Sequence, residues 1–111
     1  MDCLFCKISR GEIPSKEIYS NDSVFAFEDI NPQAPTHILI IPKSHYENAS
    51  SLADAEPEVL AALFKAAREI AEAQKLAGYR SVFNTGAEAG QSVFHAHLHL
   101  IGGRALSWPP G

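Results

Sequence analysis

The amino-acid sequence predicts an α+β domain: a five-stranded, mostly antiparallel sheet with one long helix and a short N-terminal helix. Three observations predict it. Residues 57–76 repeat apolar side chains at helical period, five short apolar runs are bounded by Asn, Gly and Pro turns, and the 111 residues hold no linker or internal repeat. Residues 1–111 are therefore expected to form one domain.

Each element has a local reason. "LFCKI" can form a short helix that stops near Gly11 and Pro14. "KEIYS" and "VFAFE" read as two strands around an Asn21-Asp22 turn. "NPQAP" (31–35) is a Pro-rich corner, and "THILIIP" is a buried strand ended by Pro42. In the long helix, positions 60, 63, 64, 67, 70 and 71 share one face. Pro57 suits its first turn and Gly78 its C-terminal cap. "YRSVFN" is a strand, "TGAEAGQS" a loop and "VFHAHLHLI" the last strand, before the tail "GGRALSWPPG".

Composition excludes several classes. Hydrophobic residues make up 46% and charged residues 20%, which is a globular balance. A formal net charge of -4 argues against a broad grip on nucleic acid or anionic membrane, so any phosphate-bearing ligand needs a local site. "MDCLFCKISRGEIP" has no long apolar core or cleavage signal, and no run approaches about 18 apolar residues. A cytoplasmic protein is expected.

Two patterns carry chemistry. The only cysteines, Cys3 and Cys6, form a C-x-x-C pair, which in a reducing compartment points to metal or redox chemistry. No strand precedes Cys3, so a thioredoxin-like role fits poorly; two small buried thiols are the plain alternative. Three of the five histidines, His95, His97 and His99, alternate in an apolar run. On a strand they share one side with neighbours about 7 Å apart. They could be unrelated surface residues, or metal ligands, although the outer two then lie about 13 Å apart. They could also be a nucleophile with helpers, because a neutral imidazole attacks phosphorus well near pH 7. The loop ahead of them, Gly90, Gln91 and Ser92, offers N–H groups and a hydroxyl to an anion.

The run His95-Ala96-His97-Leu98-His99-Leu100-Ile101 resembles the signature of the histidine-triad superfamily. "DINPQAPTHILIIPKSH" (29–45), "GQSVFHAHLHLIGGR" (90–104) and the final "WPPG" are similar to its Hint branch, the purine nucleoside phosphoramidases. That resemblance implies a homodimer with a ten-stranded sheet. It also implies hydrolysis of the P–N bond of adenosine or guanosine 5′-phosphoramidates without a catalytic cofactor. His97 is then the nucleophile, His99 and Ser92 bind the phosphate or the departing group, and His95 and His37 orient the site. Asp29 takes the ribose hydroxyls, while Asn84 and Gly90 complete the phosphate side. Phe5, Ile8, Ile13, Phe27 and Ile30 sandwich the purine, and the Trp108 tail reaches the partner's site. Some members of the wider superfamily carry a structural zinc, and the matching positions here are Cys3, Cys6, His45 and His95, which would make His95 a ligand and not an acid or base. The cysteine pair is a departure within the Hint branch.

Other outcomes stay open at this level. Phe5, Ile8, Ile13 and Phe27 could be plain core, Asp29 a turn residue, His37 a satisfied buried histidine and Trp108 a residue packed on its own subunit. The rival functions are a dinucleoside polyphosphate hydrolase or nucleotidyl transferase, a nucleotide-binding interaction protein with vestigial catalysis, and a metalloenzyme built on the three histidines.

Overall fold

A computed structural model describes residues 3–111. The chain runs α1 (Leu4–Ser9), β1 (Glu17–Ser20), β2 (Val24–Glu28), β3 (Thr36–Pro42), α2 (Ala49–Ala55), α3 (Pro57–Ala73), β4 (Tyr79–Val82) and β5 (Leu98–Gly102), with a 3₁₀ turn at Ala87–Ala89. The five strands form one sheet in the order β1-β2-β3-β5-β4, and every neighbouring pair is antiparallel. Among the described residues no helix is long and apolar enough to cross a membrane.

Strand alternation sorts the side chains onto two faces. Val24, Ala26, Ile38, Ile40, Leu98 and Leu100 face α3, where they meet Val59, Leu63, Ala66, Ala67 and Ile70. The odd-numbered residues Phe25, Phe27, Leu39 and Ile41 take the other face and pack against Phe5 and Ile8 of α1. His37 on β3 and His99 on β5 have the same parity and share that second face. The site therefore lies on the side that α1 only partly covers.

Four expectations change. The long helix ends at Ala73, short of Gly78. Lys75 takes a left-handed φ of 56°, and the N–H groups of Lys75 and Leu76 reach back to the Glu72 and Ala71 carbonyls, a Schellman ending built without glycine. The helix buries Val59 and Ala66 in place of positions 60 and 64; Leu60 is half-buried and Phe64 is 47% exposed. The sequence reading omitted α2, where the Asn48 side chain caps by accepting the Ser51 N–H at 2.9 Å. Finally, β5 begins at Leu98, so His95 and His97 precede the strand. The Ala96 N–H bonds the Tyr46 carbonyl at 2.7 Å, which takes this stretch off the sheet ladder. In the same way β4 stops at Val82, leaving Asn84 in the loop.

Candidate functional site

The first cluster joins distant parts of the chain. Cys3 and Cys6 sit at the start of α1, His45 just beyond β3 and His95 ahead of β5. Their ligand atoms lie within 4.8 Å of one another. The Cys3 Sγ–His95 Nδ1 separation is 3.3 Å, Cys6 Sγ lies 3.5 Å from Nδ1 of both His45 and His95, and the two Nδ1 atoms are 3.2 Å apart. A tetrahedral zinc with Zn–S of about 2.3 Å and Zn–N of about 2.0 Å has S···N edges of about 3.5 Å and N···N edges of about 3.3 Å. The donors thus stand at zinc spacing.

The surroundings agree. The Pro42 carbonyl accepts from His95 Nε2 at 2.8 Å, which puts the ring proton there and aims the Nδ1 lone pair into the cluster. Burial lowers the His95 pKa to about 4, keeping the ring in its ligand form. Burial, helped by the adjoining Cys3 thiol, raises the Cys6 pKa, so a cation's charge is what would hold it as thiolate. Four protein donors close the shell, as in structural sites.

Asp29, His37 and His99 also bring ligand atoms within 4.8 Å of one another, yet their hydrogen bonds are of a different kind. The Gln33 N–H donates to His37 Nδ1 at 3.0 Å, which leaves the His37 proton on Nε2. A metal-bound histidine instead donates its second nitrogen outward. The His37 Nε2–H lies 2.9 Å from His99 Nδ1 and 3.3 Å from Asp29 Oδ2. His99 must then carry its own proton on Nε2. This set is a proton-ordered chain and not a metal centre. Burial, followed by the nearby His97 and His37, lowers the His99 pKa to about 4.

His97 sits between the two clusters. Its ring is 4.9 Å from His99 and meets Phe5 edge-on at 5.0 Å, centroid to centroid. The row of rings about 7 Å apart expected for a strand is therefore closer and bent. His97 Nδ1–H donates to the His95 carbonyl at 2.7 Å, leaving Nε2 with its lone pair. Burial lowers the His97 pKa, which favours this neutral form.

The Gly-containing loop differs from expectation. Gly90, at φ 97°, spends its N–H on the Ala87 carbonyl, and Gln91 spends its own on Gly86. Neither N–H is offered outward; a tight 3₁₀ turn uses them. The Gln91 side chain is buried and also bonded internally. Ser92 is exposed, and its hydroxyl has no partner among the described residues. A Cβ at Gly90 would stand 4.0 Å from Asn84 Nδ2, which places those two residues side by side.

Of the residues expected to sandwich a purine, Phe5, Ile8 and Phe27 are buried core residues, Ile13 packs at the cluster edge and Ile30 is fully exposed. A cleft of about 360 Å³ opens beside Ile8, Ile13 and Phe25. Asp29 accepts the Asn31 N–H at 2.8 Å as well as facing His37, so it is both turn former and site residue. Trp108 is 81% exposed on a tail tied back by Arg80 to the Ser107 carbonyl. The sequence reading missed Gln33, Pro42 and Tyr46, which act through main-chain atoms and so leave no side-chain signature.

The comparisons agree with this architecture. The family described as the HIT domain matches residues 10–106. A "14 kDa zinc-binding protein" of Zea mays is 50% identical over 112 residues, covering 97% of this chain and 87% of its own. The crystal structure of a HIT family hydrolase from Legionella pneumophila Philadelphia 1 superposes with a TM-score of 0.95 at 49% identity, covering 99% of this chain and all of that one. A HIT family hydrolase from Clostridium thermocellum gives 0.91 at 44% identity, over 96% of this chain and 94% of that one. Sheet order, histidine segment and sequence match thus converge, and the chain belongs to the HIT domain family.

Proposed function

We propose that this protein is a purine nucleoside phosphoramidase that hydrolyses the P–N bond of adenosine or guanosine 5′-phosphoramidates through a nucleotidyl-His97 intermediate. The observation that carries this reading is the 2.7 Å bond from His97 Nδ1–H to the His95 carbonyl, which leaves Nε2 as a free nucleophile. Nε2 attacks phosphorus as the P–N bond breaks, and the amine departs with a proton drawn from solvent. Water then cleaves the Nε2–P bond, releasing the nucleoside monophosphate and the neutral ring. His99 Nε2–H, the Ser92 hydroxyl and Asn84 Nδ2 are donors for the phosphoryl oxygens or the leaving nitrogen. His37 orients His99, and His95 orients His97.

Asp29 accepts the ribose hydroxyls. Ile13 and Ile30 flank the purine above a floor of Phe5, Ile8 and Phe27. The protein works in the cytoplasm as a homodimer, its sheet continued through β4, an edge strand with only β5 beside it. Trp108 then extends toward the partner's site. Zinc on Cys3, Cys6, His45 and His95 is structural, and the chemistry needs no cofactor.

The test is hydrolysis of a fluorogenic adenosine phosphoramidate by wild type and His97→Ala, with diadenosine triphosphate as the competing substrate class. Turnover of the phosphoramidate that falls by several orders of magnitude in the variant supports the reading. Faster turnover of diadenosine triphosphate moves the activity to the polyphosphate hydrolases, and activity that survives in His97→Ala refutes the nucleophile.

A further inference from the structure

The side chain of Gln91 is only 3% exposed, and its amide is committed on both sides. Oε1 accepts the Gly86 N–H at 2.9 Å, while Nε2 donates to the Glu47 carbonyl at 2.7 Å and to the Val93 carbonyl at 3.1 Å. The Gln91 main-chain N–H returns to the Gly86 carbonyl at 3.1 Å, so residues 86–91 close into a ring fastened twice between the same two residues. Both glycines of that ring, Gly86 at φ 89° and Gly90 at φ 97°, hold backbone conformations that other residues rarely adopt.

The third fastening is the informative one. Glu47 belongs to the short stretch after β3 that also holds His45 and Tyr46. The Tyr46 carbonyl accepts the Ala96 N–H at 2.7 Å, between His95 and His97. The loop that presents Ser92 and the segment that presents His97 therefore hang from two adjacent carbonyls of one strip of chain. A residue at 91 must supply two donors, one acceptor and the reach for all three. Glutamate has the reach but no donors, asparagine is one methylene short, and lysine has no acceptor.

We propose that Gln91 is a positioning residue: it sets the distance between the Ser92 side of the phosphate site and the His97 nucleophile without touching the nucleotide itself. This rests on the phosphate site described under Proposed function. It also replaces direct nucleotide contact by Gln91, the role expected from sequence, with an indirect one. Gln91→Glu is the informative substitution, because it keeps size and the Gly86 bond while turning a carboxylate toward two carbonyl oxygens. Gln91→Met keeps the length and removes all three bonds.

Equilibrium binding of AMP and of adenosine to full-length wild type and both variants tests the proposal, since adenosine reports the base and ribose contacts alone. AMP affinity falls at least tenfold in the variants while adenosine affinity stays within twofold. Parallel weakening of both ligands, an unchanged AMP affinity, or loss of the fold in both variants overturns the proposal, for Gln91 would then hold the domain or nothing at all. Wild type that binds AMP no more tightly than adenosine refutes the phosphate site, and that failure is visible before any variant is compared.

Discussion

The Nδ1 proton of His97 rests on the carbonyl oxygen of His95 at 2.7 Å, while the His95 ring turns the other way, its Nδ1 3.2 Å from that of His45. One residue thus serves two clusters, its main chain orienting the proposed nucleophile and its side chain completing a four-donor set at zinc spacing. The division predicts that metal and chemistry separate experimentally.

Zinc at about a hundred times its Kd adds about 2.7 kcal/mol to a fold that alone binds it. For a domain of this size that raises Tm by roughly 10 °C. Thermal melts with and without a strong chelator should show this shift in wild type and lose it in Cys6→Ser. At a temperature where the metal-free protein stays folded, kcat falls by less than about tenfold, since no ligand of the cluster need enter the reaction. Immediate loss of all activity on chelation counts against a structural metal.

In the proposed mechanism His37 acts through the tautomer of His99. With its Nδ1 occupied by the Gln33 N–H, it can only donate to His99 Nδ1, at 2.9 Å. His37→Ala lowers kcat by about 10²-fold, within the range of one misplaced proton-handling group. His37→Gln keeps an N–H donor and recovers part of that loss. Equal losses in both variants, with unchanged melting temperatures, would argue that the ring itself and not its proton is needed.

Acid should unfold the protein partly through His99. Its pKa, lowered by burial to about 4, lies below the unfolded value of about 6.5, so the unfolded chain binds the proton first. The contribution of this group is complete above pH 6.5 and drains away as pH falls through about 4. Urea unfolding at pH 7.5, 5.5 and 4.5 checks it: stability declines with acid in wild type and declines less steeply in His99→Gln. Identical slopes in the two proteins remove His99 as a cause.

Much of this was legible in the sequence because side chains carried it. The nearly unbroken apolar runs in "VFAFE" and "THILIIP" report strands buried on two faces, and the helical period of residues 57–76 reports α3. Cys3, Cys6, His45 and His95 meet as the family resemblance implied. What escaped was carried by the backbone. Lys75 ends a helix in a conformation glycine usually supplies, so the eye runs on to Gly78. Leu52 is the only large apolar residue of α2, too little to show a period. The alternation of residues 93–101 mimics one long strand, but the Ala96 N–H belongs to Tyr46 and the strand begins at Leu98.

The two cysteines lie outside residues 10–106, the stretch that matches the family. Every amino acid has a carbonyl group, so anchoring His97 does not require a histidine at position 95. What the imidazole adds is a socket for the chain's beginning. The opening turn and its thiols are therefore joined to the histidine segment through a side chain that the main-chain anchor of His97 does not use.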